Sequence, residues 1–355
     1  MAEATKRVSA GAARHQIAWI EVARVAAILG VITIHVLTRL VSNRALPESW
    51  WFANIMESAT RWSVPIFVML SGALALHSDL ADDPPSFYRR RLSRIVPPLI
   101  AWSAIYLLYG HVASNSPKTW ADALWFVLAG RPYFHLYFLY LITGLYLVAP
   151  FLRPLVAQPS RRVLGIAVLV FLAVAMVDDL IVAVWHIGGV NGATRFVPYI
   201  GYFLAGAWLV GISPTRRQLV AAGAVVALGI LLTIVGTDIS LSHPGFRGRF
   251  YLYEYLSVTT VPVSLCAFLL FQAAAPLIDR VTTPWLRRGL SAAAASTLGI
   301  FVIHPLVMTA LGRLGLGPRS FFVPLAAAAT ILATFAVSLA IVLVMRRVPG
   351  VRRLV

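Results

Sequence analysis

The first long apolar run of this 355-residue chain contains three ionisable side chains. Glu21, Arg24 and His35 all fall within IAWIEVARVAAILGVITIHV, residues 17–36. On insertion scales an ionisable group inside a bilayer costs at least about 2.5–3.5 kcal/mol, so such groups are candidates for function. A histidine of this kind can act as a general base that accepts a proton from a hydroxyl group. The alternative is structural, in which a buried polar stripe holds helices together.

The spacing of these residues places them on one side of a helix. Arg24 and His35 are eleven residues apart, which is three helical turns plus roughly 20°, and they are separated by roughly 16 Å along the axis. Glu21 comes one turn before Arg24 and is close enough to pair with it. We therefore expect a cation near one end of this helical face and an imidazole towards the other end.

A second apolar run, WWFANIMESATRWSVPIFVMLSGALAL, adds two charges and a small polar residue. Glu57 and Arg61 have i,i+4 spacing and are expected at about the depth of His35. They are predicted either to support the site or to form a self-neutralising structural ion pair. Ser71 offers a small hydroxyl group beside Gly72, and the more favoured reading of this dipeptide is close helix packing.

The third feature is the arginine-rich segment FYRRRLSRIVPPL, residues 87–99. Arg91 and Arg94 share a helical face at i,i+3 spacing. Guanidinium groups match the geometry of phosphate, so the pair could bind a phosphorylated ligand. The alternative is that these arginines act only as an orientation signal.

Two further histidines lie in or beside apolar segments. His135 opens one such segment and His304 lies in the middle of another, and both are weaker candidates because buried histidines more often serve in packing. The scattered histidines form no metal-binding pattern, so no metal is expected. Phosphate-loop, zinc-protease, nucleophile-elbow and dinucleotide-binding motifs are all absent from the sequence. The lone Cys266 excludes disulfides within the chain.

The composition of the chain indicates that apolar, membrane-embedded segments position these residues. Hydrophobic residues make up 59% of the chain and charged residues only 12%, against about 45–50% and roughly 25% in soluble domains. Thirty basic and 13 acidic residues give a net charge of +17. The basic residues are clustered between apolar runs, which is typical of orientation signals, so we expect a lipid bilayer as a partner and no nucleic acid.

The apolar runs predict an all-α, polytopic integral membrane protein with about ten transmembrane helices. Roughly twice as many arginine and lysine residues fall in the alternate segments that include the N-terminus, which predicts that both termini are cytoplasmic. The segment at 120–129 is too short to cross the bilayer and is predicted to be interfacial or re-entrant. The predicted spans are 17–41, 50–76, 95–112, 134–152, 163–185, 196–212, 218–238, 251–274, 294–312 and 321–345.

Several segments together resemble a known family. They are the Arg24–His35 pairing, RWSVPIFVMLSGALAL (61–76), RRRLSRIVPPLIAW (89–102), HLYFLYLITGLYLVAPFLRPL (135–155), YIGYFLAGAWL (199–209) and STLGIFVIHPLV (296–307). In order and spacing these segments resemble the bacterial membrane acyltransferase family 3. The likeness is greatest to the surface-polysaccharide O-acyltransferases, including the enterobacterial common antigen O-acetyltransferases. The likeness covers residues 17–345, the predicted membrane acyltransferase domain. With the predicted orientation, 1–16 is a cytoplasmic N-terminal segment and 346–355 a cytoplasmic basic tail.

The resemblance implies an activity and roles for the candidate residues. An acyl group, usually acetyl, would move from cytoplasmic acyl-CoA, a co-substrate, to a hydroxyl group of a surface polysaccharide or lipid-linked glycan. No permanently bound cofactor is implied, and the location would be the bacterial cytoplasmic membrane. By motif match, His35 is the essential histidine, Arg24 its partner, and Arg91 and Arg94 the arginine pair of the donor site. Glu21 stands where many relatives are expected to carry aspartate.

The sequence does not decide between two mechanisms, and it leaves two other functions as alternatives. His35 can act as a general base for direct attack or can itself be acylated, and the lack of a suitable neighbouring serine or cysteine favours the general base. Glu57 or Arg61 could orient His35 or stabilise the thioester oxyanion. A transporter or exporter of a glycan or lipid intermediate is the alternative function, and a non-catalytic membrane scaffold is a third.

Overall fold

A computed structural model describes residues 2–78, 83–113, 119–157, 160–243 and 245–355, with side chains from residue 18 onward. Every regular element in these ranges is helical, as the sequence predicts. Besides short 3₁₀ turns, the α-helices are α1 (Ala2–Val41), α2 (Pro47–Thr60), α3 (Ser63–Leu76), α4 (Pro84–Ala113), α5 (Trp120–Leu128), α6 (Tyr137–Ala157), α7 (Arg161–Trp185), α8 (Ile200–Leu209), α9 (Arg216–Ser242), α10 (Thr260–Ala273), α11 (Ala275–Val281), α12 (Pro284–Ala295), α13 (Thr297–Arg313) and α14 (Val323–Met345).

Seven of the described helical segments are long and apolar enough to cross a membrane, and two bent helix pairs raise this number to nine. The axis turns by 48° between α10 and α11 and by 72° between α12 and α13. The predicted span at 196–212 corresponds to the shorter apolar segment Val197–Leu209. The helical, multi-pass character of the protein is therefore confirmed, whereas the count of ten and the location of the termini stay predictions.

The short helix α5 forms where the sequence indicates a segment that is too short to span. It has nine residues, and none of them is buried. Thr119 caps it, because the Thr119 hydroxyl accepts from the Asp122 amide while the Asp122 carboxylate accepts from the Thr119 amide. This reciprocal arrangement satisfies two amide groups that the first turn of a helix leaves without partners.

The chain forms two compact units. The first contains Met1–Phe67, Leu209–Pro244 and Leu252–Ala340. Within it, α1 packs against α2, α10, α11, α12 and α13. Residues around much of the α1 circumference are fully buried, including Ala23, Ile28 and Leu37. A helix that is apolar on nearly all sides belongs in the middle of a bundle, and α1 has that position in this unit.

The second unit contains Val68–Trp208, Gly245–Tyr251 and Ile341–Val355. Within it, α4 packs against α6 and against the 3₁₀ turn Val351–Leu354 at the end of the chain. The Trp102 indole donates a hydrogen bond of 2.8 Å to the Leu354 carbonyl. The end of the basic tail at 346–355 therefore lies against a long apolar helix.

Two glycines let α3 and α8 approach closely within the second unit. A Cβ atom at Gly72 would lie 1.8 Å from the Phe203 carbonyl oxygen, and one at Gly206 would lie 1.8 Å from the Met69 carbonyl oxygen. Neither position can accept a side chain without separating the two backbones. This contact explains the glycine of the Ser71-Gly72 dipeptide as a packing residue.

Candidate functional site

The structure places two histidines face to face in the first unit. His35 on α1 and His304 on α13 have ring centroids 5.3 Å apart, with an angle of 21° between the ring planes. His35 is half-buried, whereas His304 has no exposed surface. The His304 Nδ1 atom lies 2.7 Å from the Phe301 carbonyl oxygen. A buried imidazole therefore supports the ring that the sequence identifies as the strongest candidate for proton transfer.

An ion pair lies at the end of the neighbouring helix α2. The Arg61 guanidinium donates to the Glu57 carboxylate, and the Glu57 side chain is only 1% exposed. The guanidinium also lies over the Tyr253 ring, with its central carbon 4.3 Å from the ring centroid. Arg61 comes directly after the last residue of α2, which packs against α1, the helix that carries His35. Glu57 and Arg61 thus form an ion pair on an element that packs against α1, and their depth relative to His35 stays a prediction.

The sequence analysis did not identify two residues that lie next to this ion pair or on the same helix, Tyr253 and Asn54. The Tyr253 hydroxyl donates to the Asn54 side-chain oxygen at 2.6 Å, and the Ser58 hydroxyl donates to the same oxygen at 3.2 Å. The Asn54 amide in turn donates to the Ile234 carbonyl of α9 at 3.0 Å. The spacing of Asn54 could have identified it from the sequence, because Asn54 precedes Ser58 by one helical turn and so shares the polar face of α2.

Arg24 and Glu21 lie on the same helix as His35 and are both half-buried. The carboxylate of Glu21 and the guanidinium of Arg24 are thus carried one helical turn apart on α1. One carboxylate oxygen of Glu21 is buried without a hydrogen-bond partner in the part of the chain that the structure describes. Both side chains lie on the helix that carries the imidazole, and the pairing of Glu21 with Arg24 stays a prediction.

Arg91, a candidate donor-site residue, contacts the end of α3 in the second unit. Its guanidinium donates a hydrogen bond of 2.9 Å to the Leu74 carbonyl. It also lies over the rings of Phe87 and Tyr146, at 5.9 and 5.7 Å from their centroids. Arg94, the other member of the predicted pair, is exposed. The two arginines therefore differ, because one is engaged with protein groups and the other faces outward.

Arg91 is part of a complete C-terminal cap on α3. The last four carbonyl groups of a helix have no partner within it, and here each accepts a hydrogen bond. The donors are the His77 ring to Ala73, Arg91 to Leu74, the Ser78 amide to Ala75 and Arg153 to Leu76. Two arginines at this end also complement the partial negative charge of the helix terminus.

The two remaining candidates also lie in the second unit. Ser71 is half-buried on α3. His135 is fully buried, with its ring edge-on to Tyr106 at a centroid distance of 5.0 Å, and it also contacts the rings of Tyr133 and Phe134. The surroundings of His135 are those of a packing histidine. In the ranges that the structure describes, no group of three or more histidine, cysteine, aspartate or glutamate side chains could hold a metal ion.

Comparison with known proteins adds one positive finding. Residues 17–345 match the model of a family that is described as an acyltransferase domain. The matched segment ends at the last residue of α14 and contains every candidate side chain described above. No curated protein and no solved structure matches the chain.

Proposed function

Because this chain belongs to the acyltransferase 3 family, we propose that it moves an acetyl group from cytoplasmic acetyl-CoA to a hydroxyl group of a surface glycan or lipid-linked glycan. The apolar helices support a location in a membrane, and the bacterial cytoplasmic membrane is part of the proposal. The family match favours this function over a transporter or exporter.

His35 is the proposed general base. Its ring accepts the proton of the acceptor hydroxyl while that oxygen attacks the thioester carbonyl carbon. The tetrahedral intermediate then collapses, the carbon–sulfur bond breaks, and the proton passes from His35 to the departing thiolate of CoA. The observation that carries this role is the geometry of His35 itself, a half-buried imidazole held against His304 in the middle of a membrane helix bundle.

Arg61 is the proposed stabiliser of the oxyanion that forms on the thioester carbonyl. Glu57 and the Tyr253 ring hold the guanidinium in place. A cation held before the reaction begins stabilises a developing anion without reorganisation during the step. Arg24 and Glu21 are proposed to assist from the same helix as His35.

Arg91 and Arg94 are proposed to bind the phosphate groups of the acyl donor. Arg94 is exposed and can offer its whole guanidinium fork to a phosphate. Arg91 already donates to Leu74, so its part in donor binding is combined with the capping of α3. Acylation of His35 itself is the alternative route, and trapping of an acetylated protein in the absence of an acceptor would distinguish it from direct attack.

Labelled acetyl-CoA supplied to inside-out membrane vesicles tests the proposal, because such vesicles expose the cytoplasmic face. The wild-type protein is expected to transfer label to glycan, and His35→Ala is expected to abolish transfer while the protein still inserts. The exposed His243 provides a matched control, and His243→Ala is expected to transfer at the wild-type rate. Wild-type transfer by His35→Ala would overturn the role of His35.

A further inference from the structure

Pro305 lies inside α13, immediately after His304. Proline has no amide hydrogen, so it cannot donate to the carbonyl group four residues earlier, which belongs to Phe301. Phe301 is buried, with 5% of its surface exposed. Buried carbonyl groups in proteins almost always have a partner, so a donor from elsewhere can take the place of the missing amide at position 305.

The His304 side chain supplies that donor. Its Nδ1 atom is 2.7 Å from the Phe301 carbonyl oxygen. A carbonyl can only accept a hydrogen bond, so Nδ1 must carry the hydrogen, and the neutral ring then keeps its lone pair on Nε2. The hydrogen bond to the Phe301 carbonyl therefore sets both the tautomer and the orientation of the His304 ring.

The ring fixed in this way is the one that faces His35. The centroid distance of 5.3 Å and the interplanar angle of 21° are those of a stacked pair. Stacking restricts the plane of the His35 ring. When His35 takes up a proton, its positive charge lies against the face of a neighbouring π-system, which attracts a cation.

We propose that His304 and Pro305 together position His35 for proton transfer. Pro305 cannot offer an amide to the Phe301 carbonyl, His304 bonds to that carbonyl, and the immobilised His304 ring sets the plane of His35. This inference rests on the proposed role of His35 as the base. His304 is a positioning residue, because it acts through His35.

The vesicle assay tests this proposal when kcat and the KM for acetyl-CoA are measured separately and normalised to the inserted protein. His304→Ala removes the supporting ring. We expect kcat to fall roughly tenfold to a hundredfold, because small misplacements of a reacting group cost that much. The KM for acetyl-CoA is expected to stay within about twofold, since the donor-binding groups are unchanged.

Pro305→Ala is the more specific variant, because it leaves both histidines in place. The new amide at position 305 competes with His304 for the Phe301 carbonyl, so kcat is expected to fall at least about threefold. The thermal midpoint is expected to stay the same or rise, because a proline is removed from a helix interior. Pro154→Ala makes the same change at an exposed position inside α6 and is expected to leave kcat unchanged.

A double variant shows whether Pro305 acts through His304. If it does, His304→Ala with Pro305→Ala loses no more activity than His304→Ala alone. Independent, multiplying losses would overturn the proposed coupling, and wild-type kcat in His304→Ala would overturn the positioning role. Either failure is distinguishable from failure of the proposed function, because His35→Ala would still abolish transfer.

Discussion

Arg61 is held within the first unit by two different kinds of partner. The Glu57 carboxylate neutralises its charge, and the Tyr253 ring covers one face of the guanidinium. Removing one partner of a buried ion pair costs about 3–5 kcal/mol, because the other charge is left uncompensated. The position of Arg61 therefore depends on Glu57 and Tyr253.

Substitutions at Tyr253 separate its two contacts. Tyr253→Phe keeps the ring under Arg61 but removes the hydrogen bond to Asn54, so a loss of about 1 kcal/mol in stability is expected, with kcat near the wild-type value. Tyr253→Leu removes the ring as well and is expected to lower kcat. Thermal unfolding in detergent and the vesicle assay measure the two effects, and wild-type kcat in Tyr253→Leu would contradict the role given to the ring.

The different surroundings of Arg91 and Arg94 predict different consequences of substitution. Arg94→Gln is expected to raise the KM for acetyl-CoA with stability changed by no more than about 0.5 kcal/mol, since the side chain is exposed. Arg91→Gln is expected to lower stability as well, by about 1.5–3 kcal/mol, because the Leu74 carbonyl loses a charged donor. Arg90, exposed on the same helix, provides the control variant Arg90→Gln, which should change neither quantity. An unchanged KM in Arg94→Gln would show that this residue does not bind the donor.

At the scale of elements, the contact of α3 with α8 requires glycine. Gly206→Ala would place a Cβ atom 1.8 Å from the Met69 carbonyl oxygen, and overpacking of this kind costs about 1–3 kcal/mol or more. Gly223→Ala is the matched control, because a Cβ atom at that helical position meets no atom within 4 Å and alanine favours a helix by roughly 0.5–1 kcal/mol. Thermal midpoints in detergent are expected to fall for the first variant and stay level or rise for the second. Equal midpoints would contradict the close approach of the two backbones.

Most of the helices could be predicted from apolar runs alone, and the bends could not. The predicted span at 294–312 lies within α13 except at its first residues, but the sequence did not indicate the separate helix α12 before it. Trp285, Arg287 and Arg288 make α12 amphipathic and largely exposed, so its composition resembles that of a loop. Pro284 at its start is a local signal for a helix beginning there, and hydropathy alone does not use that signal.

At the scale of the whole molecule, the segment Val197–Leu209 decides between nine and ten spans. A tenth span would place residues 190 and 213 on opposite sides of the membrane. In a Cys266→Ala background, Val190→Cys is expected to react with an impermeant maleimide only from outside, and Ser213→Cys only from inside. Both positions are exposed. Labelling of both from one side would show that this segment does not cross.

The candidate site was predictable in part for a clear physical reason. Ionisable residues inside apolar runs are conspicuous because they are costly in lipid, and this reasoning identified His35, Glu57 and Arg61. It could not show that His304, 269 positions after His35 in the sequence, stacks on the His35 ring. Nor could it show that Arg91 caps α3, because a single sequence does not specify which helix ends meet which side chains.

Mass spectrometry of surface glycans tests the central claim most directly. A strain that lacks this protein is compared with the same strain carrying the wild-type gene or the His35→Ala variant. We predict that glycans of the deletion strain lose one acetyl increment, that the wild-type gene restores it and that His35→Ala does not. Identical glycan masses in the deletion and wild-type strains would contradict the claim that this protein acylates a surface glycan.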